Sequence, residues 1–447
     1  MPRDAQGNEL TAASEEAARA YDHVVDGFLH YRFETGARLK ALTKLDAEAP
    51  LPQAMAGLFA MLAYDQRVLP RAEAAADRAE ALRPNAREAA HIAALRAWAA
   101  GGPEAALAIW EGIVAEHPRD ILAFRLHHFT AFWTGAPGRM LGLVERVLPH
   151  WSPAVPGFGS VLACLCFANE ECGLYTAAEH AGRAAVAMNP GDLWATHGVA
   201  HVLEMQGRRT EGLAWLDAGE PHWEGGNNLM HHLWWHRAMF HIERAEFDDV
   251  LSLYDRRFRD HGSPVTQAQP DLYIDVQNAA SILWRLARHG VPAGGRWEEL
   301  ADKAEARIGD TLSAFTQPHW MMALAATGRD GAARRLLDAV EEAGRGNTPH
   351  AAILREAALP ACRAVLLHAQ GRFGDAVAAL RPALGGMYRL GGSHAQQDVL
   401  EQLFLDSAMK AGAEADARLL LERAAGRHPV PPHRRIGYAG AAQAVGW

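Results

Sequence analysis

Two pairs of histidines stand at helical spacing near the middle of the chain. His197 and His201 are four residues apart, and so are His232 and His236. On a helix that spacing puts two side chains on one face, one turn apart. Glu204 follows His201 by three residues, so the run HxxxHxxE can present two imidazoles and a carboxylate together. Neutral imidazoles one turn apart commonly hold a divalent transition metal, here zinc or iron, and a nearby carboxylate adds charge. Gly198 stands where a metalloprotease HExxH motif needs glutamate, so that chemistry is excluded. The expectation is that His197, His201, His232 and His236 face a common interior and form a metal-binding set. The plainer reading is that they bond across a helix interface and pack on Trp194, Trp234 and Trp235.

Further residues could complete a small-molecule pocket. The expected ligand-binding group is His128 in RLHHFTAFW, Asp275, His319 in FTQPHWMMALAATG, His394 in GGSHAQQD, and Trp235. Asp275 falls on an otherwise apolar helix face, so it must pair with an arginine or histidine or bind a ligand. Arg125 and Asp398 are charges in similar positions. Gly391-Gly392-Ser393 before a helix suits an anion at the helix N-terminus, or is simply a start capped by Ser393. Residues 224–228, EGGNN, read the same way, with Asn228 as the cap of the helix that follows. Tryptophans cluster at 194, 215, 223, 234 and 235, where they can wall a pocket or fill helix–helix space. With a metal, a metal-bound water is one route to chemistry. Without one, histidines can serve as acid and base. No residue is singled out as catalytic, because phosphate loop, nucleophile elbow and dinucleotide fingerprint are all missing.

Helices must position these residues. Alanine, leucine, glutamate and arginine dominate, and alternating apolar and polar runs are nearly absent. Pro84 and Pro118 are 34 residues apart, and so are Pro156 and Pro190. Between and beyond them the units read helix, glycine turn, helix, as in WAAGGPEAALAIWEGIVAEHP and ECGLYTAAEHAGRAAVAMNP. Each helix pair has an apolar face it cannot bury alone, and stacking buries it continuously. Glycine before the second helix, alanine in it and proline after it is the tetratricopeptide pattern. The expected fold is all-α, with helical hairpins stacked into a right-handed superhelix. Pro50 and Pro52 should break the helical pattern near the start. One solenoid is expected over 1–427, with 428–447 as a Pro-, Gly- and Ala-rich extension packed on the body.

The stretches THGVAHVLEMQGR, HHLWWHRAMFHIERAEFDDVLSLYD, DLYIDVQNAASILWRLARHG and GGSHAQQDVLEQ resemble the tetratricopeptide repeat protein 38 family, which overlaps the StaR-like group. The resemblance spans roughly residues 20–425. It implies an all-helical repeat fold and assigns no reaction. The group's association with antibiotic gene clusters points toward small-molecule chemistry.

Composition narrows the function classes. The net charge of −9 comes without any basic stripe, so a nucleic-acid partner is not expected. No run of about twenty apolar residues is present, so no membrane span is expected. The first residues lack an apolar stretch behind a basic one, and four cysteines in so long a chain make no disulfide framework. A cytoplasmic protein with buried free thiols fits both. Two functions remain open. One is a repeat protein with a central histidine-rich pocket for a small molecule, with a divalent metal. The other is a non-catalytic scaffold that holds a peptide or protein partner in its concave groove.

Overall fold

The computed structural model describes all 447 residues. The chain is all-α and built of helical hairpins: helices joined by short turns, no strand, and two isolated bridges, Arg3–Glu9 and Arg32–Gly226. No helix is long and apolar enough to cross a membrane. It divides into two compact units, Met1–Val199 with Gly219–Met230, and Ala200–Ala218 with His231–Trp447.

In the first unit, Ala86–Ala99 packs on Pro103–Glu116, and Phe158–Glu171 packs on Tyr175–Met188. In the second, Thr316–Ala326 pairs with Asp330–Ala343, Leu359–Ala369 with Phe373–Leu380, and His394–Lys410 with Glu414–Arg427. Close approach of some helices depends on missing side chains. A Cβ on Gly212 would lie 2.3 Å from the buried ring of Phe240, and one on Gly182 would lie 2.6 Å from the Cys166 sulfur. Cys164, Cys166 and Cys362 are buried, and all four cysteines are free thiols, as expected.

The turn within each hairpin has one recurring construction. Gly173, Gly207, Gly328 and Gly371 have φ of 78°, 66°, 67° and 73°, the left-handed region. The next residue then returns its N–H to a carbonyl five residues back, as in Leu174 to Asn169 at 2.8 Å and Arg208 to Leu203 at 2.8 Å. This six-to-one bond satisfies carbonyls that the ending helix leaves open. Two such turns do it without glycine: at one, Tyr31 takes φ 54° and Arg32 donates to the Gly27 carbonyl at 2.8 Å. At the other, Ala245 takes φ 58°, and Glu246 donates to the His241 carbonyl at 3.0 Å.

Proline placement differs in one respect from expectation. Pro84, Pro118 and Pro190 do lie between hairpins, where they end second helices. Pro50 and Pro52 instead sit in the first turn of Pro50–Met61. The first turn's N–H groups have no partner within the helix, so proline forfeits nothing there and its fixed φ suits helix entry. The final residues form a short turn of helix, Pro432–Arg434, and the Ile436–Ala444 helix, both in the second unit.

The alanine in a glycine position gives a signed prediction. Ala245→Gly should raise unfolding stability by about 0.5–1 kcal/mol, because it removes Cβ strain from a left-handed residue. Gly207→Ala should lower it by about 1–2 kcal/mol or more, since its Cβ would also meet Val430 at 2.8 Å. Denaturant midpoints of the two variants should move in opposite directions.

Candidate functional site

The Tyr273–Arg288 helix carries a buried polar stripe, Asp275, Asn278, Ser281 and Arg285, on steps of three, three and four residues. That spacing keeps all four on one face. The stripe meets the Asn228–Glu243 helix group by group. His231 Nδ1 lies 3.2 Å from Asp275 Oδ2, and His232 Nδ1 lies 2.9 Å from Asn278 Oδ1. The Trp235 indole N–H donates to Ser281 Oγ at 3.1 Å. Arg285 donates to the Ala395 carbonyl at 3.1 Å and stands 3.6 Å from Asp398. A carboxamide oxygen only accepts, so His232 carries its proton on Nδ1.

Beside this seam lies the histidine cluster. The rings of His201 and His236 meet edge to face at 4.4 Å, and those of His232 and His236 at 4.8 Å. Ring nitrogens of His201, His232 and His236 lie within 4.8 Å of one another. His236 Nδ1 is 2.7 Å from Glu204 Oε2. Burial pushes His236 down to about 3, and His201 and His232 well below the ordinary histidine range. All three imidazoles are therefore neutral at pH 7, the form that coordinates a metal. The same burial pushes the Glu204 carboxyl up to about 8. His197 lies one turn before His201 on the Leu193–Met205 helix and belongs to the first unit. Its ring packs on Trp194 at 4.7 Å and Phe167 at 5.2 Å.

Glu204 also stands on the wall of an open cleft in the second unit. Met205, Met239, Phe240 and Val430 supply its apolar surface, and His394, Asp398 and His428 line it too. Its charges are fixed in pairs: Arg209 to Glu243 at 2.5 Å, Arg435 to Asp398 at 2.5 Å, Arg427 to Glu401 at 2.6 Å. Asp398 also accepts from the Tyr438 hydroxyl and from Gln402 Nε2. Burial pushes the Asp398 carboxyl up, but Arg435 and Arg285 outweigh it and hold the group below the usual carboxylate range.

The other expected site residues take varied positions. His394 lines the cleft, while Asp275 and Trp235 belong to the seam. His319 is buried but turned back on its own helix, its Nδ1 2.8 Å from the Phe315 carbonyl, and it does not line the cleft. His128 lies in the first unit, packed on Phe124, Phe167 and Trp194. Ser393 caps the His394–Lys410 helix in a capping box with Gln396. The other cap falls one residue earlier than expected. Asn228 is already helical, and Asn227 accepts the Leu229 N–H at 3.0 Å. Sequence reading missed Arg209, Glu243, His428 and Arg435 as cleft residues. The basic, histidine-containing run HPVPPHRR near the end was the available signal for two of them.

No known family model matches the chain. Among solved structures it is similar to a monomeric mutant of IFIT1 with Gppp-AAAA, at 13% identity and TM-score 0.39, over 93% of this chain and 95% of that one. It is also similar to Naa15/Naa10 bound to HypK-THB, at 13% identity and TM-score 0.26, over 96% of this chain and 66% of that one.

Two outcomes follow from the buried charges. Glu204 titrates near 8 when folded against an ordinary 4.5, so the folded protein keeps a proton that the unfolded chain releases in between. Its contribution is full below the lower value and is lost as pH rises toward the upper one, by up to about 1.4 kcal/mol per pH unit. Glu204→Gln should flatten that slope in denaturant melts from pH 5 to 8. Asp398→Asn should cost about 3–5 kcal/mol, because it leaves buried arginines without their counter-charge. It should also make residues 428–447 cleavable in limited proteolysis.

Proposed function

We propose that this is a helical-repeat binding protein whose second unit holds a divalent transition metal on His201, His232 and His236. A small molecule occupies the adjoining cleft, past Glu204 and against His394 and Asp398. The observation that carries this reading is three neutral, buried imidazoles with ring nitrogens inside 4.8 Å, two of them held at Nδ1 by Asn278 and Glu204. Histidine ligands characteristically give their second ring nitrogen to a carboxylate or carbonyl oxygen, which fixes ring orientation and tautomer. Coordination would then use Nε2 of His232 and His236.

The donor set favours zinc over iron. Non-haem iron sites combine two histidines with a coordinating carboxylate, whereas zinc accepts three imidazoles. Glu204 bonds to a histidine, which suits an outer-shell group. Apolar side chains would fill the same space without burying polar rings, so packing alone gives little reason for three imidazoles here. The likeness of these histidine-rich blocks to the tetratricopeptide repeat protein 38 family belongs with this reading, and so does that group's link to small-molecule chemistry.

The test is metal content and metal-dependent stability. Purified protein should carry close to one zinc per chain by elemental analysis. The apo-protein should take up cobalt(II) with the intense visible bands of a nitrogen-coordinated site. Zinc at about a hundredfold its Kd should add about 2.7 kcal/mol of stability, and His201→Ala and His236→Ala should each lose most of it. No stoichiometric metal, together with zinc leaving the melting temperature of the wild type unchanged, would sink the site.

A further inference from the structure

The first unit contains a second group of buried polar side chains, independent of the metal site. Arg125, on the Ile121–Trp133 helix, is 2% exposed and has no carboxylate at ion-pair distance. A guanidinium remains charged in a protein, and the buried Asp192 carboxylate opposes that charge from a distance, without direct contact. The guanidinium's hydrogen-bond partners are neutral groups. One is the Tyr31 hydroxyl, and another is the Cys164 sulfur at 3.6 Å. Its carbon lies 5.2 Å from the Tyr31 ring centre and 4.6 Å from that of Trp194. Asp192 is buried nearby, but its carboxylate caps the following helix through the Ala195 N–H at 2.9 Å.

Neighbouring groups are short of partners as well. His128, one turn from Arg125 on the same face, is 1% exposed, and neither of its ring nitrogens has a hydrogen-bond partner. The Trp194 indole N–H, on a ring that meets His128 edge to face at 6.0 Å, has none either. Buried polar atoms are nearly always satisfied, and each exception calls for a cause. The groups gathered here are a cation and N–H or O–H donors. What would satisfy them together is an acceptor that carries negative charge.

Tyr31 provides the way in. It is only half-buried, it lies in the turn after the Glu15–Leu29 helix, and its φ of 54° is left-handed. A non-glycine residue in that region stores strain, held here by the turn's own bond from the Arg32 N–H to the Gly27 carbonyl at 2.8 Å. The Tyr31 hydroxyl accepts a hydrogen bond from Arg125.

We infer that Arg125, with His128 and Trp194, forms a binding site for the carboxylate of a small organic monoanion, and that Tyr31 is the plug this carboxylate displaces. The guanidinium is a single cation with the Asp192 charge nearby, which favours a monoanionic carboxylate over a phosphate dianion. The Tyr31, Trp194 and Phe167 rings suit an organic body behind the charge. Burial pushes the Cys164 thiol up to about 11 and His128 well below its ordinary value, so neither adds a charge at pH 7.

The probes are butyrate and benzoate, with their methyl esters, chloride and inorganic phosphate as controls. They are read by Trp fluorescence and by melting temperature on the full chain stripped of metal. The carboxylates should raise the melting temperature by a few degrees in a saturable way, and the controls should not. Arg125→Met should lose the response, while Arg125→Lys should keep a weaker one. Tyr31→Phe should bind about threefold or more tightly, since the competing hydroxyl is gone. If Arg125→Met does not fold, Tyr31→Phe decides: affinity equal to or below wild type overturns the plug and with it the site. The site is also overturned if no carboxylate gives a saturable response, if phosphate does equally well, or if Arg125→Met responds like wild type. None of these readouts depends on metal, so they separate this site from the histidine cluster of the second unit.

Discussion

The second unit depends on pairing buried polar side chains across its central helices. An unpaired amide, imidazole or hydroxyl in an apolar core costs roughly as much as several apolar contacts supply. The Asn228–Glu243 and Tyr273–Arg288 helices meet this constraint with a matched set: Asp275 with His231, Asn278 with His232, Ser281 with Trp235. That matching fixes the orientation of His232. Through Glu204 the same economy fixes His236, and Glu204 then forms part of the cleft wall. The chemistry of the site is therefore a product of how the helices are held.

The cleft obeys the same rule at higher charge. Asp398 is the hub. It receives Arg435, Tyr438 and Gln402, with Arg285 close by. Arg435 and Tyr438 come from the last residues of the chain, so the terminal segment is fastened by buried charge as well as by apolar contact. A buried ion pair adds little net stability over an apolar filling, but it is intolerant of losing one partner. Such a device specifies where the segment docks more than it strengthens the docking.

Much of this was legible in the sequence, because it follows from local rules. Histidines four apart announce a shared helix face, and the recurring glycine and proline mark hairpin turns and ends. Ser393 offered a cap as one of two readings, and the box with Gln396 that makes it one lies within four residues. What escaped depends on contacts distant along the chain. Nothing near Asn278 says that it will meet His232, 46 residues earlier. The arginines of HPVPPHRR carry no local sign of Asp398, and Ala245 gives no warning that it takes a glycine's place in a turn. Asp275 shows both halves of this. Its need for a partner was plain, and the partner's identity was not. Pro50 and Pro52 were misread for a different reason: the same residue that stops a helix also starts one, and only position relative to the first turn decides.

Repeat proteins carry a hazard that ordinary domains avoid. Their interfaces are built from nearly interchangeable alanine- and leucine-rich faces, so hairpins can stack out of order with little immediate penalty. The seam between Asn228–Glu243 and Tyr273–Arg288 works against this error. A helix presented with the wrong neighbour, or slid by one turn, would bury histidine, asparagine and aspartate against carbon. The polar stripe thus acts as a lock whose wards reject all but one key, and the chain's assembly order is written into it.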